Sequence, residues 1–261
     1  MIFFKKTIAA VGLIVACVAA TSVHASQATN NVRIILNIPY EPFEYRNQKG
    51  DLEGFDVALG NALCAQAQLS CSWNEQSWES LLPSLMTRKA DAIISGMTIT
   101  DERREQVLFS DPYLIPPTAW FAPTQSPLHV ITTSTLRGQR IGVLRGSTQD
   151  RYVSDLYSEH NIIRRYAGAD DVVNDLIASR LDLTLLDYPT GQSSLLKASP
   201  GNFRVVGANI QDARYFNDGT GIAFRKQDRA LADRFNRALR ELKQNGTYQT
   251  LVNTYFPEEH R

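Results

Sequence analysis

Several things are scarce in this chain of 261 residues, and each scarcity removes a class of function. Charge of one sign is not in excess: 27 Lys and Arg face 27 Asp and Glu. There is no basic surplus to hold nucleic acid and no acidic tail. Histidine is rare and scattered at His24, His129, His160 and His260, and three cysteines do not gather it into a metal site, so no metal is expected. Beyond the first 25 residues no apolar run approaches the ~20 residues of a membrane span. Also absent are a dinucleotide fingerprint, the Gly-Lys-Ser/Thr of a P-loop, and a nucleophile–base pair, so neither a cofactor nor a catalytic residue is assigned. What remains is a 43% hydrophobic chain, long enough for one large or two medium domains.

The opening segment, MIFFKKTIAAVGLIVACVAATSVHA (1–25), puts Lys5 and Lys6 before an apolar run and ends in Val23-His24-Ala25. That order reads as a secretory signal peptide cleaved after Ala25. Cleavage removes two of the 27 basic residues and no acidic one, leaving a formal charge of −2. Ile14-Val15-Ala16-Cys17 also resembles a loose lipoprotein box with Cys17 as the lipidated residue. The residues after Cys17 are still apolar, so plain cleavage is favoured. The expected product is exported and soluble. In an oxidising compartment, Cys64 and Cys71 are expected to close a short disulfide loop.

Periodicity then suggests two rounds of one pattern. NVRIILNI (31–38) reads as a strand, 39–54 as a loop or short hairpin, FDVALGNALCAQAQ (55–68) as a helix and CSWNE (71–75) as a strand. SWESLLPSLMTRK (77–89) reads as a helix with Leu81, Leu82, Leu85 and Met86 on one side, and ADAIIS (90–95) as a buried strand. A second β-α-β-α-β round starts near residue 134 and ends in the strand LDLTLLD (181–187). SLMTRKADAII (84–94) even rhymes with DLIASRLDLTLL (175–186). The pattern implies two similar α/β lobes, each with a mixed, mainly parallel sheet flanked by helices. The tail adds a turn and strand (215–226), a long amphipathic helix, Gly246 as its C-cap and a second short helix. These elements exceed what the second lobe needs and could return to the first, so that the chain crosses twice and makes a hinge.

Three segments lie at carboxyl ends of predicted strands, where ligands of open α/β sheets bind. In SGMTITDERR (95–104), Thr98 or Thr100 can cap the next helix, and Arg103 falls in its first turn. A cation there opposes the helix dipole; Arg103 is either a surface residue balanced by Asp101, Glu102 and Glu105, or a clamp for a carboxylate. In GVLRGSTQDRY (142–152), Ser147 and Thr148 open a helix, as an ordinary cap or an anion seat. In LTLLDYP (183–189), Asp187 either forms a turn or receives an ammonium. An anion seat beside a cation acceptor suits the two ends of an amino acid.

In YEPFEY, GDLEGFDVALGNALC, LLPSLMTRKADAIIS, MTITDERR, LFSDPY, GVLRGSTQ, RLDLTLLD, YFNDGTGIAFRK and ELKQNGTY, in that order, the mature chain resembles the periplasmic amino-acid-binding proteins of ABC importers. The likeness is strongest to the lysine/arginine/ornithine- and histidine-binding proteins, and Cys64 and Cys71 match a short-loop disulfide of that subgroup. The resemblance implies a type II periplasmic clamshell: lobe one from 30–115 and 219–261, lobe two from 119–212, hinges at 115–119 and 212–219. It implies that Arg103 clamps the α-carboxylate with backbone N–H groups of Thr98 and Thr148. Asp187 would take the α-ammonium with the Gly96 carbonyl and Thr98 hydroxyl. Tyr40 and Trp78 would sandwich the side chain, although Trp78 could instead be a core aromatic. Ser95, Leu144, Ser147 and Gln149 would line the rest of a pocket in a periplasmic monomer that docks on a membrane permease.

One departure bears on the ligand. Where basic-amino-acid binders carry an Asp late in the first strand, this chain has Asn37. Asp56 remains, as a ligand contact or a helix cap. A flexible ammonium loses a partner there, whereas a guanidinium stacked on Tyr40 and Trp78 suffers less. Arginine is therefore favoured over lysine or ornithine, with histidine, glutamine or an opine as further candidates. Gly96, where the subgroup often has Ser, enlarges the pocket slightly. Rival readings are an arogenate dehydratase-like enzyme, with Glu41 or Glu44 as general acid, and a free-standing sensor.

Overall fold

The computed structural model describes Ile2, residues 31–216 and residues 218–257. The expected leader, with Cys17 and the cleavage site after Ala25, lies otherwise outside the described residues. The order is β1 (Asn31–Leu36), β2 (Tyr45–Arg46), β3 (Leu52–Glu53), α1 (Phe55–Gln66), β4 (Ser70–Glu75), α2 (Trp78–Met86), β5 (Ala92–Ile93), α3 (Asp101–Gln106) and β6 (Leu108–Phe109). It continues with β7 (Thr118–Pro123), β8 (Arg140–Leu144), α4 (Thr148–Tyr157), β9 (Ile162–Tyr166), α5 (Ala169–Ile177), β10 (Leu183–Asp187), α6 (Tyr188–Gly191) and β11 (Phe203–Ile210). α7 (Ala213–Phe216), β12 (Ala223–Phe224), α8 (Arg229–Gln244) and α9 (Thr247–Tyr255) complete it. Among the described residues no helix is long and apolar enough to cross a membrane.

Two five-stranded sheets result, ordered β4-β1-β5-β12-β6 and β11-β7-β10-β8-β9. In the first, β1 runs parallel to β4 and β5, and β12 runs antiparallel to β5 and β6. In the second, β8 runs parallel to β9 and β10, and β7 runs antiparallel to β10 and β11. Each sheet therefore has one reversed strand, and in each it is the strand entered from the other sheet. Central strands covered on both faces read as near-continuous apolar runs; in β10 all of LTLLD is buried.

Burial follows the amphipathic stripes. α8 buries Ala232, Phe235, Ala238, Leu239 and Leu242, a three- and four-residue spacing that makes one face. That face joins Val32, Ile34, Phe55, Leu59 and Phe224 in the first sheet's core. A second core around Trp120, Val143, Leu183 and Leu185 belongs to the other sheet. The expected stripe of α2 needs correction at one end: Leu81 and Leu85 are sealed, but Met86 is 53% exposed. A residue one position past Leu85 is rotated about 100° away. Cys64 and Cys71 form a disulfide that ties the end of α1 to β4.

The two connections between sheets lie side by side. Tyr113 N–H donates to Thr220 O at 2.9 Å, and Thr220 N–H donates to Leu114 O at 2.7 Å. The approach is close enough to require a glycine: Gly219 has φ +69°, and a Cβ there would stand 2.5 Å from Leu114 O. The fold is a two-lobe clamshell.

Candidate functional site

The carboxyl ends of strands from both sheets meet at one cavity. Asn37 and Tyr40 come from the turn after β1, Trp78 opens α2 after β4, and Ser95, Gly96 and Thr98 come after β5. From the other lobe Leu144 ends β8, Ser147, Thr148 and Gln149 start α4, and Asp187 ends β10. Gly96 adopts φ +52° where the chain leaves β5, and its N–H donates 2.6 Å to Asp56 Oδ2.

Arg103 is the cation of the cavity. Thr100 caps α3 by accepting from Arg103 N–H at 3.2 Å, which turns the Arg103 side chain into the cleft rather than outward. Its guanidinium donates to Thr98 O at 2.7 Å and, across the cleft, to Gly146 O at 3.3 Å. It lies 5.5 Å from the Trp78 ring centroid. Only 9% of the residue is exposed, and burial lowers its pKa to about 10. No carboxylate among the described residues lies within ion-pair distance of it. Arg104, by contrast, pairs with Asp218 at 2.9 Å on the surface.

Asp187 is the facing anion. Tyr40 Oη–H donates to Oδ2 at 2.8 Å, Gln149 Nε2 to Oδ1 at 2.9 Å and Thr118 Oγ1–H to Oδ1 at 3.3 Å. Burial pushes its pKa up to about 6, and these donors work against that rise. Ser147 caps α4 by accepting from Asp150 N–H at 3.0 Å. The α4 start thus leans over the cavity beside Arg103, whose Nη1 is 3.5 Å from Thr148 Oγ1.

A second carboxylate faces the cavity. Ser95 Oγ accepts from Asn37 N–H at 2.9 Å and donates to Glu44 Oε1 at 2.7 Å. Glu44 is 1% exposed, and burial first, then Asp56, pushes its pKa well up. The rim is bridged by Arg145–Glu79 at 3.3 Å and by Arg151–Glu102. These exposed pairs contribute about 0–1 kcal/mol each.

Residues 32–258 match bacterial extracellular solute-binding proteins, family 3. The chain belongs to that family. It is 39% identical over 254 residues to the lysine/arginine/ornithine-binding periplasmic protein of Escherichia coli, covering 97% of each chain. It is 40% identical to the L-arginine-binding protein of Pseudomonas aeruginosa, covering 88% of this chain and 89% of that one. The solved structure of a Salmonella typhimurium periplasmic binding protein of high arginine specificity superposes with a TM-score of 0.80 at 30% identity. It covers 87% of this chain and 99% of the other. The sequence relatives are binding proteins rather than enzymes.

In this solute-binding protein the cavity gathers every ligand-contact candidate from the sequence except Asp56, and of the two general-acid candidates it takes in Glu44 but not Glu41. Asp56 is fully buried behind the wall. It neither contacts the cavity nor caps its helix: Gly54 is the N-cap of α1, and Asp56 Oδ2 receives Gly96 N–H and Tyr113 Oη–H at 2.7 Å. The reason is geometric, since a residue in the first turn of α1 points back under β5. Glu44, a candidate from sequence only as a general acid, instead supplies the cavity with a carboxylate. Its signal in the sequence is weak: it sits in a loop without periodicity, four residues after Tyr40. Asn37 still counts as one carboxylate fewer, but Glu44, left out of the ligand set read from the sequence, brings a carboxylate to the same wall. Asn37 Nδ2 donates to Gln76 O at 2.9 Å, and Glu44 stands next to it across Ser95.

Proposed function

We propose that the mature protein is an exported, monomeric carrier. It captures a free L-amino acid with a cationic side chain, arginine before lysine, ornithine or histidine, and delivers it to an ABC importer permease. Arg103 carries this reading. A buried guanidinium with no carboxylate partner among the described residues, facing a cavity that also holds Asp187, suits a ligand bearing both charges. The α-carboxylate takes Arg103 with the N–H groups of Thr98 and Thr148. The α-ammonium takes Asp187, the Gly96 carbonyl and the Thr98 hydroxyl. The side chain runs between Tyr40 and Trp78 towards Glu44, with Leu144, Ser147 and Gln149 alongside. A planar guanidinium stacks on aromatic faces and keeps its charge, which favours arginine over a hydrated ammonium.

Ligand shifts an open–closed equilibrium between lobes 30–115 with 219–261 and 119–212, about hinges near 115–119 and 212–219. The closed form docks on the permease through both lobes, so that closure is sensed. The names of the sequence relatives, which are binding proteins for arginine and related amino acids, support the same reading.

Calorimetry on ligand-stripped protein tests it. Arginine should bind tightest among arginine, lysine, ornithine, histidine, glutamine and an opine. Tighter binding of a neutral or acidic amino acid at neutral pH would overturn the choice of ligand. Turnover of arogenate or prephenate would replace binding by catalysis.

A further inference from the structure

Glu44 and Asp56 form a cluster that amino-acid capture alone does not explain. Each carboxyl has one oxygen supplied with donors: Ser95 Oγ–H reaches Glu44 Oε1, while Gly96 N–H and Tyr113 Oη–H reach Asp56 Oδ2. The other two oxygens, Glu44 Oε2 and Asp56 Oδ1, are sealed from solvent and receive no donor from any described group. The two carboxyls are held side by side: consecutive residues Ser95 and Gly96 donate to them, and Asp56 N–H donates at 2.9 Å to the carbonyl of Phe43, the residue before Glu44. Two acceptors so placed repel unless one carries a proton, and a single proton then serves both orphaned oxygens. Among the described residues their surroundings add no cation: Tyr113 and Tyr40 are hydroxyl donors, and Asp187 across the cleft is a further negative charge acting on Glu44. Arg103 does not contact either carboxyl, its bonds going to Thr98 O and Gly146 O.

We propose that Glu44 and Asp56 share one proton, which a cationic side chain displaces on binding and an uncharged side chain of the same shape leaves in place. The proposal rests on the reading of this cavity as an amino-acid site and extends it to the range of ligands. On this proposal the charge balance lets both classes fit. With its proton the pair carries one negative charge, and a carboxamide or ureido side chain leaves that unchanged. A guanidinium or ammonium adds one positive charge, the proton leaves from the carboxyl O–H to solvent base, and the sum is again one negative charge. The pocket thus keeps its net charge with either ligand, avoiding an uncompensated buried charge.

Proton counting on the stripped full chain tests this. Arginine and citrulline, its uncharged analogue of nearly equal shape, are titrated calorimetrically in two buffers of different protonation enthalpy near about pH 6, within the range where a raised carboxyl titrates. Asp187 meets the same α-ammonium in both ligands, so its contribution cancels in the difference. Arginine should release between about half a proton and one proton more than citrulline. Below the apparent pKa of the pair, the affinity ratio should move towards citrulline by up to about tenfold per pH unit, the limit for one proton. Asp56→Asn gives Glu44 an amide donor, so arginine should still bind while the difference in proton release vanishes. Glu44→Gln should weaken arginine more than tenfold and citrulline by less than about threefold. Equal proton release by the two ligands, or an unchanged difference in Asp56→Asn, overturns the proposal and leaves amino-acid capture standing. Failure of both ligands to bind overturns both. If neither variant folds, the wild-type difference alone decides.

Discussion

Replacing Arg103 by Met separates its contribution to binding from its contribution to stability. Burial lowers the Arg103 pKa from its ordinary value to about 10, so holding that charge in the ligand-free fold costs about 3 kcal/mol. Its returns are a bond to Thr98 O at 2.7 Å, a longer one to Gly146 O at 3.3 Å and the stack on Trp78. Charge-assisted bonds and a cation–π contact of this kind contribute roughly 1 kcal/mol each. The two sides nearly cancel. Arg103→Met, close in volume, should therefore change the stability of stripped protein by less than about 1 kcal/mol, where ordinary truncation of a buried side chain costs about 2–5. Binding should behave oppositely. The ligand carboxylate would be buried without its charged partner, which costs about 2–5 kcal/mol, or roughly thirtyfold to several thousandfold in Kd. Denaturant unfolding and calorimetry on the same preparation read both. A Kd change below threefold, or a stability loss above about 3 kcal/mol with binding intact, would show Arg103 to be a structural residue.

Two further outcomes are expected. Asn37→Asp adds a carboxylate one serine away from Glu44 and gives up the bond to Gln76 O; the lysine-to-arginine affinity ratio should rise roughly tenfold, and an unchanged ratio by calorimetry rejects Asn37 as a selectivity determinant. Stability of stripped protein should fall as pH rises from about 4 to about 6. Burial raises Asp187 and Asp56 from 3.8 to about 6, so the native state holds protons that the unfolded chain has lost across that window. Their contribution is full below 3.8 and gone above about 6. Asp91, held down to about 2 by Arg33 and Arg225 against the opposing pull of burial, acts only below that window. A Tm that climbs steadily from about pH 5 to 7.5 contradicts the sign.

The parts of this fold legible in the sequence were those long enough to show a period. α1, α2, α4, α5 and α8 each present a stripe, and β1, β8, β9 and β10 each run five or six residues. β7 and β11 gave no usable signal. TAWFAP is almost wholly buried, so it does not alternate, and it lies between prolines. FRVVGANI is broken by a bulge and by Gly207 at φ +71°. β5 and β12 fall inside stretches read as strands, 90–95 and 215–226, but are two residues each, and β6, equally short, gave no signal of its own. Thr98, Arg103, Ser147, Thr148 and Asp187 were legible because they follow predicted strand ends, a rule that needs no long-range information; Asn37, Tyr40, Trp78, Ser95, Gly96, Leu144 and Gln149 came from the family resemblance. Glu44 and the inward turn of Asp56 were not legible, since both depend on how a loop and a helix fold back under β5.

The internal rhyme between 84–94 and 175–186 accounts for how two lobes come to aim at one cleft. Arg33 holds Asp91 through its backbone N–H, Nε and Nη2, and Arg140 holds Asp182 through the same three groups. Arg88 and Ser179, three residues before each aspartate, turn the chain at φ 61° and 58°. Leu85 with Ala90, and Leu176 with Leu181, are buried around that turn. The device clamps each helix–strand connection to the amino end of the neighbouring strand, and so fixes where the carboxyl ends of β5 and β10 emerge. The likeness stops there. β5 opens into Ser95, Gly96 and a loop that ends on Arg103, whereas β10 ends on Asp187. The scaffold is repeated and the chemistry placed on it is not, which is the arrangement required to grip a ligand whose two ends carry opposite charge.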